Sequence, residues 1–327
     1  MDSRPDYAIV VVAYKSRALL ARMFARIPAT TRVIVADNSA DVQDLTDLIG
    51  ARPHTTYVDT GGNVGFGAAC NLAARAASEP FIVFVNPDAD VEPAVLDSLA
   101  HELARNRQCA SCGPMLEDDK GRVRTGSGGW LPTPRRAVVH ALGLFRLLPK
   151  SGIGVGPLTD AVLPVEWVAG TCLMVRRSVF LEMGGFSPRY FLYQEDMDLG
   201  RRLRASGWRQ ILRGDLRVRH LAGTSSDRED VSHLAWRRAS ALVDYLAATQ
   251  GTQTARLICG ILACGMTLRA GYALVGLRRA RLKEFAVHIR ALARPRRTLQ
   301  AVEAERRARV AGPVKTAAER LVTSANA

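Results

Sequence analysis

The run Phe81-Ile-Val-Phe-Val85, followed at once by Asn86-Pro-Asp88-Ala-Asp90, decides the fold class of this chain. All five residues of the run are β-branched or aromatic, which is typical of a strand buried on both faces of a sheet. Ligands of open α/β sheets bind beyond the carboxyl ends of the parallel strands. The stretch therefore predicts a buried parallel strand that ends at a binding edge.

Similar apolar runs occur on both sides of this strand, separated by segments with helical spacing. The predicted strands are Ala8–Ala13, Arg32–Ala36, residues 56–58, Glu166–Val175 and Ile211–His220. The predicted helices are Arg17–Ile27, Arg177–Met183 and Glu195–Ala205. A further helix, rich in small residues, is opened by the stretch Thr60–Gly67 and runs through Ser78. This alternation indicates an α/β fold with a mostly parallel central sheet. Between residues 121 and 157 glycine and proline are dense, and we expect a lid or a linker there.

The charge of the chain is concentrated in its last third. The 327 residues are 48% hydrophobic and 23% charged, which excludes a short peptide module and a chain disordered throughout. Residues 228–327 hold 18 Lys and Arg against 7 Asp and Glu, so the first 227 residues carry only +3 of the net +14. We therefore predict a catalytic domain over residues 1–227 and a basic, helical region over residues 228–327.

An apolar stretch in the basic region points to a membrane. Leu257–Leu277 contains one charged residue, Arg269, and a cationic flank begins at Arg278. We favour a helix or hairpin in the membrane interface, with its flank on acidic headgroups. A spanning helix and a buried helix of a soluble bundle are the alternatives.

The six cysteines follow no framework spacing, and no secretory signal precedes them, so we expect a reduced, cytosolic setting. Cys109 and Cys112 have the C-x-x-C spacing, but no second Cys or His pair flanks them. We expect two small buried residues near a strand rather than a zinc or redox site.

Acidic side chains and one histidine follow predicted strands or open a predicted helix. Asp37 can accept hydrogen bonds from a base or a ribose, although a helix cap or a turn would also explain it. Asp88 and Asp90 could hold a hard divalent cation, or form a turn. Three acids from Glu195 onward stabilise a helix start, and one of them could be a general base. His220 is a structural residue or a metal ligand.

Taken in order, these segments resemble family 2 glycosyltransferases of the GT-A fold, from about Ala8 to Ser226. The combination is most similar to actinobacterial rhamnosyltransferases that act on polyprenyl-diphosphate-linked N-acetylglucosamine. The motifs that carry the resemblance are Val11-Val-Ala-Tyr14-Lys-Ser, Val35-Ala-Asp37-Asn-Ser, Gly62-Asn-Val-Gly-Phe-Gly-Ala-Ala-Cys-Asn71, Val85-Asn-Pro-Asp88, Gly170-Thr-Cys-Leu-Met-Val-Arg-Arg, Gly184-Gly-Phe, Tyr193-Gln-Glu-Asp196-Met-Asp-Leu-Gly-Arg-Arg-Leu and His220.

The resemblance implies a role for each of these residues. Asp196 would be the catalytic base, and Trp167, Gly170 and Glu195 would lie on the acceptor side. Mg²⁺ or Mn²⁺ would be held by Asp88, Asp90 and His220. Asn86-Pro-Asp88 takes the place of the family's usual D-x-D, with Asp88 as the retained metal carboxylate, and Asp88 is ranked above Asp90. The residues that would contact the nucleotide-sugar are Ala13, Tyr14, Asp37, Asn63, Gly65, Asn71 and Asn86.

The resemblance also implies an activity: inverting, metal-dependent transfer of a sugar to a lipid-linked or cell-wall acceptor. The expected donor is dTDP-L-rhamnose, with galactofuranose, mannose or glucose donors for an exported polysaccharide as the alternative. The expected location is the cytoplasmic side of the plasma membrane, on an anionic surface. A non-catalytic protein that binds anionic polymers is the second class. We expect no nucleic-acid partner, because the C-terminal arginines lack interleaved aromatic residues.

Overall fold

The computed structural model describes residues 6–39, 42–148, 150–156, 161–221, 231–275, 279–310 and 321–323. Three predictions fall partly outside these ranges: the last residues of Leu257–Leu277, the start of its basic flank at Arg278, and the chain after Leu221. The predicted boundary at residues 227/228 also lies outside them, so the division into two domains stays a prediction.

The strands follow one another along most of the chain. They are β1 (Tyr7–Ala13), β2 (Val33–Asp37), β3 (Thr55–Asp59), β4 (Phe81–Val85), β5 (Ala89–Asp90), β6 (Cys109–Glu117), β7 (Gly128–Gly129), β8 (Val162–Val165), β9 (Trp167–Val168), β10 (Cys172–Arg176), β11 (Arg209–His220) and β12 (Leu321–Thr323).

The helices cover both faces of the sheet and form the C-terminal region. They are α1 (Arg17–Phe24), α2 (Val42–Gly50), α3 (Phe66–Arg75), α4 (Pro93–Arg105), α5 (Pro134–Ala141), α6 (Arg177–Glu182), α7 (Glu195–Ala205), α8 (Val231–Gln250), α9 (Thr252–Val275), α10 (Arg279–Ala293) and α11 (Pro295–Val310), with a 3₁₀ turn at Leu144–Arg146.

The central sheet is mixed and mostly parallel in its first half. Its strand order is β12-β3-β2-β1-β4-β10-β6-β11-β5, with β8 on β11, and β3, β2, β1 and β4 are parallel. Every residue of these four strands is buried, because helices cover both faces. The parallel register aligns Ala13, Asp37 and Asp59 at one edge. The predicted α/β sheet is therefore confirmed, and the polar strand ends lie together at the edge that is predicted to bind a ligand.

The predicted strand Glu166–Val175 is interrupted, which the sequence reasoning missed. Only β9 and β10 are extended, and the residues between them bond to the binding edge instead of to a strand. Gly170 donates its N–H to a carboxylate of α7, and the Thr171 carbonyl accepts the N–H of Asn86, the residue that follows β4. The break brings the backbone of this segment to the site.

The glycine-rich stretch from residue 121 to 157 is more ordered than predicted, because it contains β7, α5 and the 3₁₀ turn. The helices α2 and α4 and the strands β5, β8 and β12 were not predicted, and the range of β6 was not predicted although a strand was expected near Cys109 and Cys112. Cys109 and Cys112 lie in β6, where burial raises the pKa of each thiol. No group of three or more His, Cys, Asp or Glu positioned to hold a metal occurs among the described residues. The expected structural role of the two cysteines is therefore supported.

The C-terminal helices share the hydrophobic core of the sheet domain. Val243 and Leu246 of α8, Ile258 of α9 and Leu292 of α10 belong to the same buried cluster as Leu96 of α4. One helix, α9, is long and apolar enough to cross a membrane by length and composition, with a mean hydropathy of 1.6 over Thr252–Leu274, and a third of that window is buried. Helix α9 packs on α5, α8 and α10, as a helix of a bundle does, and leaves one face open.

An ion-pair network fastens α8 and α11 to the loop before α7. The carboxylate of Asp244 is buried and accepts two bonds from Arg189, at 2.9 and 2.6 Å, and one from Arg306 at 2.8 Å. We expect Asp244→Ala to lower the free energy of unfolding by about 3 kcal/mol, because two guanidinium groups lose their counter-charge. Urea unfolding would measure the loss. Glu303→Ala, which removes a 46% exposed partner of Arg306, should cost at most ~0.5 kcal/mol, and an equal cost for both variants would contradict the expectation.

Candidate active site

Asp37 ends β2 at the binding edge and is completely buried. Its carboxylate accepts the Tyr57 hydroxyl at 3.0 Å, and the backbone N–H of Ser39 at 2.9 Å. Ala13 is the last residue of the neighbouring strand β1, and Tyr14, which follows it, is exposed. These three of the residues predicted to contact the nucleotide-sugar therefore lie at adjacent strand ends, and their contacts with a nucleotide stay predictions.

Asn38 organises the glycine-rich loop, and the sequence reasoning missed it. Its amide N–H donates to the Asn63 side chain at 3.0 Å. Its side-chain oxygen accepts the Val64 N–H at 3.0 Å and the Thr60 hydroxyl at 3.1 Å. An asparagine in a turn after a buried strand was the available signal, since such side chains bond to nearby backbone. The loop that carries Asn63 is thus held against the end of β2.

Gly65 joins this loop to α3 at a point of close backbone contact. Its φ is +89°, and a Cβ there would lie 2.4 Å from the carbonyl oxygen of Phe191. The next N–H, that of Phe66, donates to the same carbonyl at 2.9 Å. Only glycine fits both the left-handed backbone and the approach. The predicted donor loop therefore touches the segment that leads into α7.

Asn71 lies on α3, but it faces a turn 115 residues further along the chain. Its amide donates to the Phe186 carbonyl at 2.7 Å and its oxygen accepts the Phe186 N–H at 2.8 Å. A Cβ on Gly185 would approach the Asn71 oxygen to 2.3 Å. The side chain therefore clamps this turn, and its predicted contact with the nucleotide-sugar stays a prediction.

Two of the three predicted metal ligands meet. Nε2 of His220 lies 3.2 Å from a carboxylate oxygen of the buried Asp88. An oxygen and an imidazole nitrogen suit Mn²⁺ or Mg²⁺ when substrate phosphates supply further ligands, so this pair fits such a cation. Asp90 is different, because it pairs with Arg26 and, at 3.5 Å, with Arg22. Asp90 therefore has arginine partners whereas Asp88 faces His220, and the ranking of the two as metal ligands stays a prediction.

The chain turns sharply before α7. Tyr193 and Gln194 both adopt a left-handed φ, 69° and 71°, which is rare for residues other than glycine. After this turn Asp196 accepts the N–H of Met197 at 2.7 Å and that of Gly170 at 3.1 Å. The third acid of the motif, Asp198, forms ion pairs with arginines of its own helix.

Glu195 and Asp196 are neighbouring carboxyl groups at the start of α7. Burial raises the pKa of both, and the charge of Asp196 raises that of Glu195 further. One carboxyl oxygen of Glu195 has no hydrogen-bond partner among the described residues, whereas two backbone N–H groups stabilise the charged form of Asp196. The surroundings therefore favour the charged form more at Asp196 than at Glu195.

Asp196 opens into a cavity of about 460 Å³. Asn86 lies on one wall, and the three predicted acceptor-side residues Trp167, Gly170 and Glu195 line it together. Other lining residues come from the C-terminal helices, which the sequence reasoning did not assign to the site. They include Arg238, Leu242, Leu262, Met266, His288 and Leu292. The cavity thus joins the carboxylate of Asp196, the loop after β4 and a largely apolar set of side chains.

Comparisons with known proteins agree with this geometry. The family model of glycosyl transferase family 2 matches residues 8–156. An N-acetylglucosaminyl-diphospho-decaprenol L-rhamnosyltransferase of Mycobacterium tuberculosis (strain ATCC 25618 / H37Rv) is 33% identical over 245 residues, which cover 69% of this chain and 80% of the relative. Rhamnosyltransferase WbbL of Escherichia coli (strain K12) is 28% identical over 62% of this chain and 78% of its own length.

A solved structure shows the same fold. The mannosyltransferase PcManGT from Pyrobaculum calidifontis, in complex with GDP-Man and Mn²⁺, superimposes with a TM-score of 0.57 at 16% identity, over 93% of this chain and 87% of that one. The β3-β2-β1-β4 sheet, the paired carboxyl groups at the start of α7 and the similarity to the mycobacterial enzyme lead to one conclusion: the chain belongs to glycosyl transferase family 2 and has its GT-A-like fold.

Proposed function

We propose that the protein is an inverting, metal-dependent glycosyltransferase, with Asp196 as the base. The observation that carries the proposal is how the base is joined to the loop after β4. Gly170 donates its N–H to Asp196, and the next residue, Thr171, accepts the N–H of Asn86. Two consecutive residues therefore connect the base to the strand end that carries Asp88. The proposal is supported by Asn86 and Asp196 lining the same cavity.

In this mechanism Asp196 accepts the proton of the acceptor hydroxyl while that oxygen attacks the anomeric carbon. A single displacement from the face opposite the leaving group inverts the anomeric centre, and no covalent carboxylate intermediate is needed. Burial and the charge of Asp196 raise the pKa of Glu195, which favours its neutral form and leaves Asp196 as the proposed base. Asp88 and His220 would hold Mg²⁺ or Mn²⁺, which supplies positive charge for the departing nucleoside diphosphate.

The proposed donor is dTDP-L-rhamnose, and the proposed acceptor is a lipid-diphosphate-linked saccharide. The support is the similarity to the mycobacterial L-rhamnosyltransferase, whose name gives an N-acetylglucosaminyl-diphospho-decaprenol acceptor, and to WbbL. The apolar wall of the cavity is compatible with a lipid-linked acceptor. Galactofuranose, mannose or glucose donors for an exported polysaccharide are the alternative.

The proposed location is the cytoplasmic side of the plasma membrane, where cell-wall glycans on lipid carriers would be extended. The support is the composition of α9, which keeps exposed leucines on a helix of high mean hydropathy. The second class, a non-catalytic binder of anionic polymers, is set aside because the chain belongs to an enzyme family. We keep the expectation that nucleic acid is not a partner.

The test combines donor binding with transfer. We expect dTDP-rhamnose with Mn²⁺ or Mg²⁺ to raise the melting temperature by several degrees more than UDP- or GDP-sugars do, because a ligand that binds the folded state stabilises it. Transfer of labelled rhamnose to a lipid-diphosphate N-acetylglucosamine acceptor should stop with EDTA and return with excess Mn²⁺. Undiminished transfer with EDTA would remove the metal from the mechanism, and a larger shift with another sugar would change the donor.

A further inference from the structure

A groove of about 590 Å³ lies between α9 and the junction of α10 with α11, outside the catalytic cavity. Four guanidinium groups line it, and none of the four forms an ion pair with a carboxylate among the described residues. The other lining residues, Gly260, Leu292, Ala293 and Pro295, are small or apolar. The four arginines are Arg256, Arg294, Arg296 and Arg297.

The lining of the groove favours an anionic ligand. Guanidinium groups bind phosphate oxygens through paired N–H donors, and several converging arginines repel one another unless an anion lies between them. The groove also meets the first turn of α11, a helix of 16 residues that begins at Pro295. The exposed N–H groups of a first turn add partial positive charge. With no carboxylate in the lining, a phosphate ester is the ligand class that fits.

An apolar surface adjoins the groove along α9. Leu257, Leu268 and Tyr272 project from one side of this helix, and Tyr272 is 81% exposed. Leu257 directly follows Arg256, so the apolar stripe begins at the edge of the groove. Soluble proteins seldom keep so much apolar side chain in water on one helix face.

Helix α5 widens this surface. It crosses α9 closely, since a Cβ on Gly265 would lie 2.6 Å from the Cβ of Ala141. Next to this crossing the chain exposes Leu142, Leu147 and Leu148. Apolar side chains beside a row of arginines match the two layers of a membrane interface, acyl chains and anionic phosphates.

The groove and the catalytic cavity are neighbours that share one lining residue. Leu292 of α10 lines both, and it is almost completely buried between them. His288, one turn earlier on α10, lines the cavity. A headgroup held in the groove would therefore place the cavity that contains Asp196 beside the lipid surface.

We infer that the four-arginine groove binds the phosphate of an anionic phospholipid headgroup, with the apolar surface of α5 and α9 entering the interface beside it. The inference deepens the membrane location in the proposed function and rests on it. It assigns the contact to one groove rather than to the net positive charge of the C-terminal region.

The first experiment measures co-sedimentation of the full chain with vesicles of phosphatidylcholine containing 30% phosphatidylglycerol, as a probe composition. Replacing all four arginines with glutamine should weaken binding at least ~30-fold, since each arginine near an anionic surface contributes about a factor of five. The matched control replaces four exposed arginines of the sheet domain with glutamine, which changes the net charge equally. It should weaken binding at most ~3-fold. The control residues are Arg75, Arg105, Arg107 and Arg209.

A second pair of variants preserves all arginines. Gly260 lies on the groove, and no heavy atom lies within 4 Å of where its Cβ would be. Gly260→Asp should therefore fold, pair with the arginines and weaken vesicle binding ~10-fold. Gly50→Asp adds the same charge at another open glycine, in α2, and should leave binding unchanged.

Two outcomes would overturn the inference. One is equal loss of vesicle binding in the groove variants and their controls. The other is full displacement of the vesicles from the wild-type protein by millimolar inorganic diphosphate, which would assign the groove to a soluble anion. Transfer to a water-soluble acceptor should stay within about twofold of wild type in every variant. A wild-type protein that binds vesicles but transfers no sugar would refute the proposed function alone.

Discussion

Replacing Asp196 with asparagine is expected to lower kcat by about 10³-fold or more while the affinity for the donor stays within twofold. A general base contributes roughly 10²–10⁴-fold to such a step, and the amide cannot accept the proton. In the wild type, Met197 donates to one carboxylate oxygen and Gly170 to the other, so the single amide oxygen can keep one of these two bonds, and the buried side chains of α7 should hold its start in place. Single-turnover transfer and donor titration would measure the two quantities.

The neighbouring carboxyl provides the sharpest control. Glu195→Gln mimics a neutral carboxyl and should keep transfer within about tenfold at neutral pH, because burial and the charge of Asp196 raise the pKa of Glu195 and so favour its neutral form. Asp215→Asn removes an exposed acid of β11 and should leave transfer unchanged. If Glu195→Gln were inactive and Asp196→Asn active, the roles of the two carboxyl groups would be exchanged.

The pKa of Asp196 determines whether sugar transfer rises or falls with pH. Burial raises the pKa of Asp196, and only its charged form accepts a proton. Transfer should therefore rise with pH along a limb whose midpoint lies above the ordinary range of an aspartate, and fall below it. In Glu195→Gln this limb should remain near its wild-type position, since the titrating group is still Asp196.

Gly65→Ala is expected to destabilise the protein by about 3 kcal/mol and to lower transfer more than 100-fold. The new Cβ would lie 2.4 Å from the Phe191 carbonyl in a left-handed backbone, so either the donor loop or the segment before α7 must move. Such a shift would displace Asp196 relative to the donor side, and small misplacements of reacting groups are costly. Urea unfolding and kcat/KM would measure both effects.

Gly62→Ala separates backbone strain from the steric clash. Gly62 also has a positive φ, +130°, but no heavy atom lies within 4 Å of where its Cβ would be. We expect a loss of ~1 kcal/mol and transfer within tenfold of wild type. Equal effects in the two variants would show that contact with Phe191 does not matter.

Asp88 and Asp90 show what sequence spacing leaves open. Both follow β4 within five residues, and spacing alone suggested a shared cation. Asp88 lies in the turn, next to His220, whereas Asp90 belongs to β5, which pairs with β11. Arg22 and Arg26 of α1 then neutralise Asp90. The arrangement depends on β11, which lies more than a hundred residues away, so local spacing could not predict it.

The sequence by itself determined the four parallel strands β1 to β4 and the acids at the strand ends, because apolar runs and polar stops are local properties. It also identified the Glu195-Asp196 motif. Only the tertiary structure decided the different surroundings of the two carboxyl groups, since these depend on burial and on the N–H of Gly170. Only the tertiary structure brought α8, α9 and α10 to the cavity wall. Contacts between distant segments arise when each buries its apolar face against the other, and no local pattern records which faces will meet.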